Sequence, residues 1–156
     1  MTNHQASSKP QADSPKAYPI AIPYLQDLGV EFVEAGGGTS EIALTLQPRH
    51  LNSWHVGHGG ICMTLLDAAM SMAGRTLDPD VRAGVTVEMK TSFLQPAGTA
   101  GSRLRAIGKV LHRSSTMCFC EAELWDGDKL AAKAMGTFKY IKRRGASSGS
   151  ADRSDA

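Results

Sequence analysis

Apolar and polar positions alternate along the middle of the chain in runs that predict strands, interrupted by one longer run that predicts a helix. Ile42, Leu44 and Leu46 stand against Glu41, Thr45 and Gln47, the period of two expected of a half-buried strand. This run, 39–47, and a shorter one at 29–34 flank Gly36, Gly37 and Gly38, so a hairpin with a glycine turn is predicted. A short helix at 23–29 precedes them, with Pro23 in its first turn and Gly29 at its end. Residues 50–57 (HLNSWHVG) have no period and read as a loop.

Residues 58–75 (HGGICMTLLDAAMSMAGR) are apolar nearly all round, the mark of a helix buried within the fold. The run is shorter than the ~20 apolar residues of a membrane span. Four strand-like runs follow, at 85–93, 102–112, 116–125 and 129–141, with a turn at Asp126-Gly127-Asp128. Alternation is only partial at Val85, Val87 and Met89 and at Phe119, Ala122 and Leu124. Short connections between successive strands suit an antiparallel meander. The expected class is α+β: five or six antiparallel strands curled around one long helix.

Composition sharpens the organisation. The 156 residues suit one domain, and 42% hydrophobic residues suffice for a core. Residues 1–17 and 144–156 lack apolar period and read as disordered tails around a domain at 18–143. The net charge of +2 is too small to advertise nucleic-acid binding. It also sits in the ends, with +1 in residues 1–16 and +3 in 139–156, which leaves 17–138 at −2. The basic cluster from Lys139 to Arg144 reads as a solvated chain end. The start is polar, unlike a secretory signal. Three cysteines (Cys62, Cys118, Cys120) without CxxC spacing argue against a disulfide framework or zinc knuckle. A reduced, cytoplasmic protein is expected, with no nucleic-acid or membrane partner.

One residue conflicts with the apolar helix. Asp67 is its only carboxylate, and Asp is almost never fully buried unpaired. Asp67 therefore reaches a cleft or has a partner; a satisfied structural Asp and a functional one fit equally. The helix opens with His58-Gly59-Gly60. There the first N–H groups lack intrahelical acceptors and the dipole favours negative charge, so a developing oxyanion can be held. A tight loop-to-helix entry explains a glycine pair as well. Gly59 and Asp67 lie about 12 Å apart along the axis at ~1.5 Å per residue. One reacting carbonyl cannot touch both within a single helix. If both act on one substrate, two chains must supply them, as a two-fold dimer would twice over.

These residues resemble a known family. Asn52-x5-His58-Gly59-Gly60-x6-Asp67 is similar to the signature of hotdog-fold acyl-CoA thioesterases of the phenylacetate-degradation (PaaI) type. Gly84 to Met89 resembles that family's first strand after the helix, Phe93-Leu94-Gln95-Pro96-Ala97 its strand end, and Gly136-Thr137-Phe138 its last strand. The likeness covers about residues 25–141.

The resemblance implies a sheet wrapped around a central helix, a dimer with a shared sheet, and usually a homotetramer. It implies hydrolysis of acyl-CoA without metal or organic cofactor. It implies that the Gly59 N–H polarises the thioester carbonyl and that Asp67 of the facing subunit is nucleophile or general base. Asn52 would hold water or thioester, Thr86 would orient the carboxylate or water, and His58 would support the helix start. Gly60 and Trp54 would line the substrate site. Where members commonly carry Gly-Arg, this chain has His112-Arg113-Ser114-Ser115, which makes Arg113 and Ser115 the phosphate contacts to consider. Trp54 fits packing or a dimer contact equally well.

Three rival readings remain. A non-catalytic acyl-CoA-binding module would have no need of Asp67. A metal hydrolase on His50, His55, His58 and Asp67 lacks an established zinc spacing. A hotdog hydratase or dehydratase would use a His with a carboxylate, and the Asn-HGG-Asp spacing fits it less well.

Overall fold

The computed structural model describes residues 20–77 and 83–141. The expected tails, and residues 18–19 and 142–143 of the expected domain, lie outside them. In chain order come α1 (Pro23–Leu28), β1 (Glu31–Gly36), β2 (Thr39–Thr45), α2 (Gly59–Arg75), β3 (Ala83–Phe93), β4 (Arg103–Arg113), β5 (Met117–Asp126) and β6 (Lys129–Ile141). The six strands form one sheet ordered β1-β2-β4-β5-β6-β3, and every pair is antiparallel. The sheet and its single long helix make a hotdog fold. No described helix is long and apolar enough to cross a membrane.

The hairpin between β1 and β2 turns on Gly37 and Gly38, with φ of 58° and 84°. A two-residue turn with both central φ positive matches the twist of its strands and calls for glycine. The Gly38 N–H donates to Thr76 Oγ1 at 2.7 Å, which ties the hairpin to the end of α2.

α2 packs on the inner face of the sheet through Leu65, Leu66, Ala69, Met70 and Ala73, all fully buried. Each large side chain contributes roughly 1.5–3 kcal/mol by leaving water. Gly108 of β4 lets the two backbones meet: a Cβ there would lie 2.4 Å from the Ala69 carbonyl oxygen. Ser40 Oγ donates to that same oxygen at 2.7 Å.

One expectation needs correction: the four strands after α2 do not form one meander, because β3 lies at the far edge beside β6 and not beside β4. α2 lies on the sheet with one stripe, Gly60, Met63, Thr64, Asp67 and Ser71, uncovered or half covered. Their spacing of three and four residues is that of one helix face. The partial alternation in β3 has a cause as well. Thr86 pairs with Phe138 but Glu88 pairs with Thr137, so Val87 is an extra residue, a β-bulge. Without it Thr86 and Glu88 would share a face. With it, Thr86 lies on the inner face with buried Phe138, and Glu88 lies outside, where it accepts from Thr137 Oγ1 at 3.2 Å.

Candidate active site

The loop before α2 is built around two side chains. His50 is 1% exposed and ends a short 3-10 turn, Pro48–His50. Its Nδ1 accepts from the Gln47 N–H at 3.1 Å, and its carbonyl accepts from the His58 N–H at 2.9 Å. Burial and the adjacent Arg49 charge hold His50 below its ordinary pKa, so the fold favours its neutral form. Asn52 Oδ1 accepts from the N–H groups of Trp54 (2.9 Å) and Val56 (3.3 Å). This side-chain-to-backbone turn throws out Ser53, Trp54 and His55, and His55 takes a φ of 59°. The amide nitrogen of Asn52 has no acceptor among the described residues.

His58 is the N-cap of α2: its Nδ1 accepts from the Gly60 N–H at 2.9 Å. The Ile61 and Cys62 N–H groups donate to the His58 carbonyl. Of the four N–H groups that a helix start leaves open, only that of Gly59 has no acceptor among the described residues. Gly60, expected to line the substrate site, lines neither the cleft at Gly59 nor the cavity at Asp67, and its N–H is engaged by His58. A cleft of about 350 Å³ lies beside Gly59, lined among others by Asn52, Trp54, Cys62, Phe93, Leu94 and Gln95. Trp54 stands at 84% exposure. Cys62 lies buried at this cleft, and burial pushes its thiol up to about 11.

Two helical turns further on, Asp67 is half-buried and its Oδ1 accepts from Thr86 Oγ1 at 2.7 Å. A second cavity of about 210 Å³ opens here, lined by Ile22, Tyr24, Leu25, Thr64, Asp67, Ala68 and Ser71. Asp67 thus has both a cleft and a hydroxyl partner. β3 touches both places: Thr86 bonds Asp67, and the Phe93 ring lies 3.5 Å from where a Gly59 Cβ would sit.

Arg113 and Ser115 are not brought to either cavity. Arg113 donates to the Leu77 carbonyl beyond the end of α2 and lies 5.7 Å over the Tyr140 ring. Ser115 sits in the β4–β5 turn, where Ser114 Oγ accepts from the Thr116 and Met117 N–H groups. His50, His55 and His58 do not form a cluster able to hold a metal ion among the described residues. The cysteines are free and buried.

Sequence reasoning missed the cavity partners. Thr64, Asp67 and Ser71 were readable as a polar stripe at helical spacing. Tyr24, which meets Thr64 Oγ1 at 3.1 Å, and Phe93 carry no such signal, because tertiary packing alone brings them in.

Residues 55–133 match the Thioesterase superfamily. A protein of Saccharolobus solfataricus, named as a candidate esterase, is 33% identical over 117 residues, 74% of this chain and 81% of its own. A conserved protein of Pseudomonas aeruginosa has a similar structure (TM-score 0.73, 30% identity, 78% of this chain and 95% of that one). So has the phenylacetic acid degradation protein PaaI of Thermus thermophilus (TM-score 0.70, 25% identity, 77% and 100%). The chain belongs to the thioesterase superfamily, as a hotdog hydrolase of PaaI type.

Proposed function

We propose that the protein hydrolyses acyl-CoA thioesters, adding water across the acyl–sulfur bond to release a carboxylic acid and the thiol of coenzyme A. The observation that carries this reading is the pairing of a carboxylate fixed by a hydroxyl, Asp67 with Thr86, with a helix-terminal N–H at Gly59 that has no acceptor among the described residues. The first supplies a nucleophile or general base. The second supplies a donor for the carbonyl oxygen as negative charge develops. Asn52 offers its free amide to water or thioester. His58 acts by capping the helix that presents Gly59. Neither metal nor organic cofactor enters the reaction.

The two halves of the site come from two chains. Among the described residues β3 is an edge of the sheet, and it exposes Val85, Val87 and Phe93. A two-fold axis near Met89 and Lys90 sets Thr86 of one copy opposite residues 92–93 of the other. Asp67 of each chain then faces Gly59 of its partner. The test is release of free thiol from a panel of aromatic and aliphatic acyl-CoAs, with wild type beside Asp67→Asn. Release by the wild type alone supports the reading. Binding without release by either would make the protein an acyl-CoA-binding module.

A further inference from the structure

We infer that the cavity at Asp67 is the acyl pocket and that Tyr24 of α1 sets the size of acyl group the enzyme accepts. The inference rests on the thioesterase reading and goes beyond it by assigning the two arms of the substrate to the two cavities. A thioester carbonyl between Gly59 and Asp67 carries one arm that ends, the acyl group, and one that must leave the protein, the pantetheine of coenzyme A. The two cavities differ in the same way. The cleft at Gly59 is larger and more open, and exposed Trp54, Leu94 and Gln95 form its rim. It suits an arm that runs out to solvent. The cavity at Asp67 is smaller and more closed, and it suits an arm that stops.

α1 makes it a pocket. The α1 N-cap Ile22, with Tyr24 and Leu25 of the helix, forms one wall, and Thr64, Asp67, Ala68 and Ser71 of α2 form the other. The Tyr24 hydroxyl meets Thr64 Oγ1 at 3.1 Å, closing the space one turn before Asp67, while Ser71 lies one turn beyond. α1 is held in place: the Arg49 guanidinium donates to the Asp27 carbonyl at 2.7 Å, and Gly29 ends the helix with a φ of 81°. The volume of about 210 Å³ falls below the ~300 Å³ at which small-molecule pockets usually begin. The pocket therefore takes a compact acyl group and resists a long chain.

The experiment compares kcat/KM for butyryl-, hexanoyl-, phenylacetyl-, decanoyl- and palmitoyl-CoA. Wild type is expected to favour the compact esters. Tyr24→Ala, at a side chain more than half exposed, removes the wall without opening the core. It should raise the decanoyl-to-butyryl ratio at least about tenfold, the low end of the discrimination that one methylene provides in a pocket. Ser71→Leu fills the far end and should move the ratio the other way. Trp54→Ala should lower kcat/KM for all esters alike and leave the ratio in place. Dissociation constants for non-hydrolysable thioether analogues should follow the same order. A ratio that ignores Tyr24→Ala and Ser71→Leu but shifts with Trp54→Ala puts the acyl group in the other cleft and overturns the assignment. If the wild type releases no thiol from any ester, the thioesterase reading itself fails, and the pocket assignment with it.

Discussion

The two edges of the sheet are built for opposite fates. β1 is six residues long, carries Glu31 and Glu34, and is interrupted by an irregularity between Phe32 and Glu34. Arg103 reaches across to Glu31. Short length, charge and a bulge are the usual means of keeping an edge from pairing. β3 is eleven residues long and exposes Val85, Val87 and Phe93. An edge of that kind is a template for another strand. The half-sites lie along β3 and none of their residues belongs to β1. On the proposed two-chain reading, the chain protects the edge it does not use and leaves open the edge along which a second copy would complete the chemistry.

The largest effects test whether the site is shared. Asp67→Asn should cut thiol release at least about a hundredfold, as expected for loss of a general base, with the fold kept. Gly59→Pro removes the N–H and puts a ring carbon in its place, with a Cβ at ordinary contact distance from the Phe93 ring. Proline is welcome at the first helical position, and His58 already has the φ of −62° and ψ of 137° that a following proline requires. The loss should match that of an oxyanion donor, about a hundred- to a thousandfold. Co-expressing the two variants should restore about a quarter of wild-type activity, since half of randomly formed dimers are mixed and each has one intact site of two. No recovery would mean that each chain carries its own complete site.

A charge on each edge sharpens the contrast. Val87→Asp, at the exposed bulge of β3, should give a folded monomer by sedimentation and little thiol release, with Asp67 and Gly59 both intact. Ala35→Asp, exposed on β1, should leave assembly and activity as they are. Thr86→Val should lower kcat about ten- to a hundredfold, because hydrogen bonds to charged groups are worth ~1.5–3 kcal/mol. Thr86→Ser should recover most of it.

Acidity gives a smaller effect. The fold favours the neutral form of His50, which takes up its proton more readily when unfolded. Stability is therefore full above about pH 6.5, its ordinary value. It falls as pH drops below that value, until folded His50 itself titrates. Thermal melts from about pH 7.5 down to about pH 5, which bracket that value, should show a loss that His50→Gln reduces.

Much of this was legible in the sequence. The bounds of α2 followed from a glycine pair at its start and an apolar run. Asp67 stood out because a carboxylate in that run needs a reason. Short connections indicated the meander of β4, β5 and β6, but not the place of β3, which pairs with β6 at the far edge and not with β4. The bulge at Val87 was not legible, since no residue type marks it, and it decides that Thr86 faces Asp67. The loop at 50–57 was read only as a segment without period, yet Asn52 and His50 hold it through bonds to backbone groups that no periodicity encodes. Arg113 was judged by its charge, and the fold uses that charge to hold the Leu77 carbonyl at the end of α2.

The smallest effect belongs to the protected edge. Arg103 Nη1 meets Glu31 Oε2 at 2.5 Å, but the Arg103 side chain is about half exposed. Exposed ion pairs typically contribute ~0.2–1 kcal/mol and are screened by salt. Glu31→Gln should therefore lower the melting temperature slightly at low salt and not measurably at high salt, with dimer and activity intact. The informative outcome is assembly rather than stability. If neutralising Glu31 yields species larger than wild type by sedimentation, the charge on β1 acts to keep that edge from pairing. If the oligomer is unchanged, the shortness and irregularity of β1 are enough to protect it.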